Sequence, residues 1–442
     1  MESKPINSFS MIICTIVVGS IVSLSVILFI KLFALVHNLC FINKISFFYN
    51  ENAHTPQSIL GFGIIFVPVI GSLLVTWLIE RFASNERGLS VTAIIYSIHF
   101  DEGKIKPIPA FAKAIASIVS IGSGGSLGRE GPIIQLSAAF SALVGMQVLL
   151  SPHQKKVLIA AGAAAGTTVI FNAPVGALAF VIEILLGSIN FFSISLIVLA
   201  EIIALLVRHY FLGDFSLFST VTFEPFDYNS FFKQLLLLLP FGIALGLVST
   251  LFIRGVYIAE DFFVKYFKNP YIRHAIGMSF VGIMLYILMF FFGHYYIEGV
   301  GIATINDALH FAIKNPWLLL LLLVFKLLAT FFTLGSGASG GIFSPTLFIG
   351  AILGVLWMMG SHYIIGIDFN ASYVVAGMAG MLAGVTGGMM MSIILCIEMT
   401  KDYQQILPIL ITTTFAYLTR MKLCQESVYT LKLKRNQINY QQ

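Results

Sequence analysis

Six long apolar runs, at roughly 11–35, 58–80, 190–212, 233–256, 274–296 and 316–334, constrain this chain more than any other feature. About 20 apolar residues carry a helix across a bilayer, so each run is long enough to span one. Of the 442 residues only 10% are charged and 58% are hydrophobic, against roughly 25% charged in soluble domains, which excludes a soluble globule. Shorter apolar segments lie between and after these runs, near 89–99, 108–121, 131–149, 157–171, 174–187, 342–360, 371–386, 388–400 and 404–419, each bounded by Gly or Pro. Several are too short to cross straight. An unpaired amide in hydrocarbon costs several kcal/mol, so helix ends at membrane depth survive only where protein or a water-filled cavity covers them. The pattern predicts an all-α polytopic membrane protein with many short, tilted or broken helices around a buried polar site.

An internal repeat sharpens this expectation. Residues 122–132 read G-S-G-G-S-L-G-R-E-G-P and residues 335–345 read G-S-G-A-S-G-G-I-F-S-P, an offset of 213. The same offset relates Lys113 to Lys326. A second Gly-rich pair, 160–184 and 376–399, ends in Glu183 and Glu398, which are 215 apart. Two homologous halves follow, at about 11–212 and 233–420, within one transport domain over 1–420 and a short tail at 421–442. Transporter repeats commonly have inverted topology, with substrate at their interface where half-helix N-termini meet.

In the first loop, glycines at 122, 124, 125, 128 and 131 free the backbone to turn N–H groups toward one point, and Pro132 suits the first turn of a helix. The second loop repeats this with Gly335, Gly337, Gly340 and Gly341, followed by Ile342, Phe343 and Pro345. Two helix N-termini, each worth about half a positive charge, would face one site and hold an anion loosely enough for conduction. Close packing explains most isolated G-x-x-x-G spacings, but not a duplicated pair interrupted by Arg129-Glu130. A carboxylate in an apolar segment marks a functional site. Glu130 is a tethered anion that can fill the site when ionised and leave it when protonated, a gate and a proton carrier in one. Arg129 serves either the anion or the scaffold.

With these motifs in order, the chain resembles the CLC family of chloride channels and chloride/proton antiporters from its first span to about residue 420. The resemblance implies that Glu130, within Gly128-Arg129-Glu130-Gly131-Pro132, is the external gate, and that Gly341, Ile342 and Phe343 lend amides to a central anion. It implies that Tyr403, after Glu398-Met399-Thr400, contributes a hydroxyl, and that Phe171-Asn172-Ala173-Pro174 with Glu183 is a family segment. It further implies bound chloride, a homodimer with one pathway per subunit, and chloride and possibly protons as cargo. Glu183 and Glu398 are read as structural, bonding neighbouring amides.

Two departures bear on mechanism. The family's serine-bearing motif aligns here with Arg87-Gly88-Leu89-Ser90-Val91-Thr92, putting Leu89 where a hydroxyl is usual. Ser90 substitutes only through an altered loop, since helical neighbours point about 100° apart. Anion selection is then retuned. The second of two adjacent acids in many antiporters is Ile184 here, which cannot carry a proton. The expectation is channel-like or weakly proton-coupled chloride conduction, with a proton-coupled antiporter as the alternative.

Other classes fit less well. The 25 Lys and Arg form no nucleic-acid stripe. Neither the four cysteines nor the nine histidines, His99 and His310 among them, show metal-ligand spacing, so no metal or cofactor is expected. Ser123 and Ser126 have no convincing base beside them, which argues against an intramembrane enzyme. The first run exceeds a cleaved signal core and reads as a retained span. Arg420, Lys422, Lys432, Lys434 and Arg435, opposed by Glu426, predict a cytoplasmic C-terminus. The tail leaves no room for paired nucleotide-sensing CBS modules. This compact form resembles a prokaryotic, multi-pass member of the cytoplasmic membrane, with lipid as its surroundings.

Overall fold

The computed structural model describes residues 7–84, 89–148, 150–188, 190–213, 217–218, 231–366, 370–401, 403 and 406–438. Among the described residues the chain's regular elements are all helices. Its first half contains α1 (Ser8–His37), α2 (Phe66–Phe82), α3 (Ser90–Phe100), α4 (Pro107–Gly122), α5 (Glu130–Gln147), α6 (Pro152–Phe171), α7 (Pro174–Phe180, continued by a wider turn over Val181–Leu186) and α8 (Phe191–Leu212). The second contains α9 (Phe231–Tyr266), α10 (Pro270–Phe292), α11 (Ile302–Leu309), α12 (Pro316–Ser336), α13 (Phe343–Ile365), α14 (Ser372–Thr386), α15 (Met389–Thr400) and α16 (Ile406–Leu423), followed by α17 (Val428–Arg435). Proline opens α4, α6, α7, α10 and α12, where its missing N–H costs nothing. Asn7, Ser151, Asn190, Asn269 and Asn315 cap α1, α6, α8, α10 and α12 through their side chains. Among the described residues, seven helical stretches are long and apolar enough to cross a membrane, so the protein is an integral, multi-pass membrane protein.

The two halves pack alike. α5 lies on α6 as α13 lies on α14; α6 meets α8 as α14 meets α16; α1 meets α8 as α9 meets α16; α2 meets α4 as α10 meets α12. Between the halves, α2 packs on α10 and α7 on α15. The last contact displays the inversion. Glu183, near the end of the α7 segment, accepts N–H bonds from Met389, Met390 and Met391 at 2.8, 3.2 and 2.8 Å, at the start of α15. Glu398, near the end of α15, accepts from Val175 and Gly176 at 3.1 and 2.6 Å, at the start of α7. Each helix caps the other's positive end, which requires them to run antiparallel.

Buried cations fasten helix ends elsewhere. Lys326 donates to the carbonyls of Ile297 and Gly299, both at 2.9 Å, Arg273 to Ser336 at 3.0 Å, and Arg420 to Gly384 at 2.9 Å. Ser336 and Gly384 lie in the last turns of α12 and α14, where carbonyls have no intrahelical donor and a buried cation satisfies them, whereas Ile297 and Gly299 belong to the loop before α11.

The C-terminal segment differs from the expected tail. α17 folds back beside α3 and α14, with Val428, Tyr429 and Leu433 buried. Tyr257 of α9 donates its hydroxyl to the Val428 carbonyl. Lys432 pairs with Glu260 at 2.5 Å, Lys434 with Glu426 at 2.8 Å, and Arg435 with Asp261. The cations read as a topology signal are thus largely consumed in fastening this helix, and Arg420 is interior. α11 and α17 escaped the hydropathy pattern because both are eight residues long and carry polar positions throughout.

Candidate functional site

The site is built where α4 and α12 stop. α4 ends at Gly122 and α12 at Ser336, and the third residue of each G-S-G then turns left-handed, Gly124 with φ of 100° and Gly337 with φ of 127°, conformations that side-chain-bearing residues avoid. The freed chains then meet. Gly128 donates to the Gly341 carbonyl at 2.8 Å and Gly341 donates back to Gly128 at 2.6 Å, an isolated antiparallel bridge between the two loops. It sets the N-termini of α5 and α13 side by side.

The Glu130 carboxylate fills the space between them. It is 1% exposed. Oε1 accepts the Phe343 N–H at 2.5 Å and Oε2 accepts the Ser344 hydroxyl at 3.1 Å, with the amides of Glu130 and Ser344 also facing the group. Phe343 stands 213 residues from Glu130, so the carboxylate is held by the amide of its own counterpart in the repeat. A Cβ on Gly128 would lie 1.9 Å from Oε1, and one on Gly341 2.4 Å from it, so both positions must be glycine for the carboxylate to fit. The Phe343 ring is stacked at 6.2 Å on Phe171 and edge-on at 5.8 Å to Phe180. Chemically, the carboxylate oxygens stand where a small monovalent anion would accept the same hydrogen bonds.

Other expected residues fall variously. Gly131 backs onto Gly341, and Ile342 is the buried residue immediately before α13. Arg129 does not reach the cradle: its guanidinium pairs with Glu51, in the segment joining α1 to α2. That corrects its assignment as an anion ligand, because a cation already neutralised by a carboxylate attracts little further negative charge. Leu89 precedes α3 in extended conformation and offers no polar atom. Ser90 is buried, and its hydroxyl has no hydrogen-bond partner among the described residues. Arg87 and Gly88 of that motif lie outside the described residues.

Tyr403 is 71% exposed between α15 and α16, so it cannot ligate a buried anion in this structure. Tyr429, in the first turn of α17, is 2% exposed, and burial, then the charge of Glu130, push its phenol above the ordinary range. Sequence reasoning stopped at a tyrosine close to the E-M-T segment. The overlooked signal was Ser427-Val428-Tyr429-Thr430, a reciprocal cap that starts a helix in the supposed tail. Ser344, between Phe343 and Pro345, joins the cradle through its hydroxyl, a side-chain role that the glycine pattern of the loop does not signal. Ile184 is fully buried.

The end of α1 and the segment joining it to α2 are tied down by other pairs. His37 bonds Glu298 at 2.5 Å and His54 bonds Asp307 at 2.6 Å. His294 stacks on His54 with centroids 4.3 Å apart, and partial burial, then the neighbouring His54, push the His294 imidazole below its ordinary range. These histidines therefore have structural partners. Among the described residues no group of three or more His, Cys, Asp and Glu side chains is placed to hold a metal.

Comparison with known proteins places this geometry. Residues 71–420 match the family model described as voltage gated chloride channel. A putative chloride channel protein ClcB-like from Ralstonia nicotianae is 32% identical over 349 residues, covering 77% of this chain and 78% of that protein. The H(+)/Cl(-) exchange transporter ClcA of Yersinia pestis bv. Antiqua (strain Angola) is 28% identical over 368 residues, covering 81% and 75%. The crystal structure of a slow cyanobacterial Cl-/H+ antiporter has the same fold, with a TM-score of 0.81 at 23% identity, over 98% of this chain and 99% of the other.

Proposed function

Because the chain belongs to the voltage gated chloride channel family, we propose that it carries chloride across the membrane along a pathway gated by Glu130. The observation that carries this reading is the Glu130 carboxylate seated on the Phe343 amide and the Ser344 hydroxyl. Protonation removes the charge that holds the side chain there, and a chloride ion then accepts the same donors. Among the described residues no cationic side chain bonds the carboxylate, Arg129 being paired with Glu51. Dipoles and amides alone bind modestly, as conduction requires.

Conduction is channel-like or weakly proton-coupled in this reading, because Ile184 offers no group to pass protons toward Glu130. Stoichiometric chloride/proton exchange is the second reading. It is supported by the titratable gate itself and by relatives named as exchangers. In either form the unit is a homodimer with one pathway per subunit, set in a prokaryotic cytoplasmic membrane with the C-terminus in the cytoplasm.

Proteoliposomes test both. With chloride loaded inside and the potential shunted, wild-type protein should release chloride while moving few protons. Uphill proton movement in fixed ratio to chloride selects the exchanger. Absence of chloride flux in both wild type and Glu130→Ala removes the proposal.

A further inference from the structure

A second cavity, whose lining does not include Glu130, has a largely apolar wall studded with cationic side chains. It is a cavity of about 790 Å³ walled by α3, the loop joining α3 to α4, parts of α4 and α5, the start of α6, and α17. Its charge is lopsided. Lys104, Lys106, Lys113, Lys155 and Lys432 line it from four different elements, and Asp101 is the one acid among its described lining residues. Lys104 lies 3.8 Å from Asp101 and 3.7 Å from Glu102, and Lys432 is held by Glu260. Lys106 and Lys155 have no carboxylate partner among the described residues.

Two neutral groups strengthen the case. Thr92 and Gln135 line the same cavity at 5% and 2% exposure. The Thr92 hydroxyl and the Gln135 Oε1 are both buried without a hydrogen-bond partner among the described residues. Leaving such atoms unsatisfied costs about 1–3 kcal/mol each, which a ligand or ordered water would recover. The volume is far larger than one halide and falls within the roughly 300–1,000 Å³ of small-molecule sites. Ammonium groups converging from several elements suit an anion with several charged oxygens, and lysine is an established phosphate binder.

We propose that this cavity binds a multivalent phosphate-bearing anion, which obstructs the pathway from the side of α17. The obstruction follows from position. The cavity lining includes Leu89, immediately before α3, and Leu433 of α17, the helix that carries Tyr429. An occupant sits across the approach between those elements. Binding is independent of the transport reading, whereas block rests on it.

The full-length protein in detergent, titrated calorimetrically with inorganic tripolyphosphate at low ionic strength, should bind one anion per chain. Affinity should fall steeply as salt rises, and orthophosphate should bind at least about tenfold more weakly. The double variant Lys106→Gln/Lys155→Gln, which breaks no ion pair, should lose about tenfold or more, while Lys44→Gln, outside the cavity lining, should not. In parallel, nanodiscs with and without phosphatidic acid ask whether a lipid headgroup supplies the phosphate. Lipid retention sensitive to the double variant, without tripolyphosphate binding, assigns the cavity to a headgroup. Absence of both, or equal affinity in the double variant, overturns the proposal. If wild type binds tripolyphosphate yet shows no chloride flux, the site stands and the transport reading fails. If flux occurs, tripolyphosphate on one face alone should inhibit it.

Discussion

The two glycine loops share a backbone and divide the chemistry. Gly124 matches Gly337 and Gly128 matches Gly341, and each pair does the same job in both halves. At the next positions the copies part. The first loop places Glu130, an anion on a tether, where the second places Phe343, whose amide receives it. Ser344 supplies a hydroxyl where the first loop has Gly131, which has none to offer. Glu183 and Glu398, by contrast, remain alike and cap each other's helices. The difference teaches a rule that can be tested: positions kept alike hold the two inverted halves together, and positions that diverged form the gate.

The largest expected effect is at the most divergent position. Glu130→Ala removes the tethered anion, so chloride flux should lose its pH dependence altogether. The sign follows from occupancy: the ionised carboxylate fills the cradle and the protonated one vacates it, so wild-type flux rises as pH falls, by up to about tenfold per unit for one titrating group. Chloride efflux from liposomes across the acid and neutral range measures this. A variant as pH-sensitive as wild type would place the gate elsewhere.

Next come the matched positions. Glu183→Gln and Glu398→Gln each weaken hydrogen bonds between a carboxylate and a helix N-terminus. The cost should be about 2 kcal/mol apiece, greater for Glu183, which accepts three N–H bonds, than for Glu398, which accepts two. Thermal unfolding in detergent reads it. The ratio of chloride to proton movement should stay unchanged in the folded fraction. A shifted ratio with intact stability would break the rule for these two carboxylates.

Much of this was legible in the sequence. All six long apolar runs became helices; of the shorter segments, those near 89–99, 108–121, 174–187, 371–386 and 388–400 became short helices, whereas the one near 342–360 extended to Phe343–Ile365, the seventh stretch long enough to span. The duplicated loops and Glu130 announced the cradle, because glycine spacing and a misplaced carboxylate carry their physics in one dimension. What stayed hidden depended on where a chain returns. Tyr403 and Tyr429 are both tyrosines beyond the second repeat's glutamate, and nothing local separates the exposed one from the buried one. Hydropathy also failed at α17, whose burial rests on Lys432–Glu260, Arg435–Asp261 and the Tyr257 hydroxyl. Those are contacts with α9, more than 150 residues earlier.

A smaller effect sharpens the comparison within the cradle. Ser344→Ala removes a hydroxyl donor to Oε2 without touching the bridge or the Phe343 amide. A hydrogen bond to a charged group is worth about 1.5 kcal/mol at the low end, roughly tenfold in occupancy. The carboxylate should be held less firmly, and chloride flux at neutral pH should rise by up to about tenfold, while acid flux converges on wild type. Equal neutral flux would leave the Phe343 amide as the sole determinant of closure.

The smallest effect separates the two tyrosines. Tyr403→Phe deletes a hydroxyl from an exposed side chain and should leave flux and halide preference within error. Tyr429→Phe keeps the ring that α17 buries and deletes a hydroxyl in the field of Glu130, so the fold should persist. Losing a neutral donor costs about 0.5–1.5 kcal/mol, so chloride flux and its ratio to bromide should shift a few-fold, measured on the same liposomes. Were Tyr403→Phe the variant that changes selectivity, the polypeptide after α15 would have to swing inward during transport, and α17 would be a brace rather than part of the path. An altered ratio for Tyr429→Phe alone makes the pathway an assembly of three parts: a carboxylate from one repeat, donors from the other, and a hydroxyl from the helix that follows both.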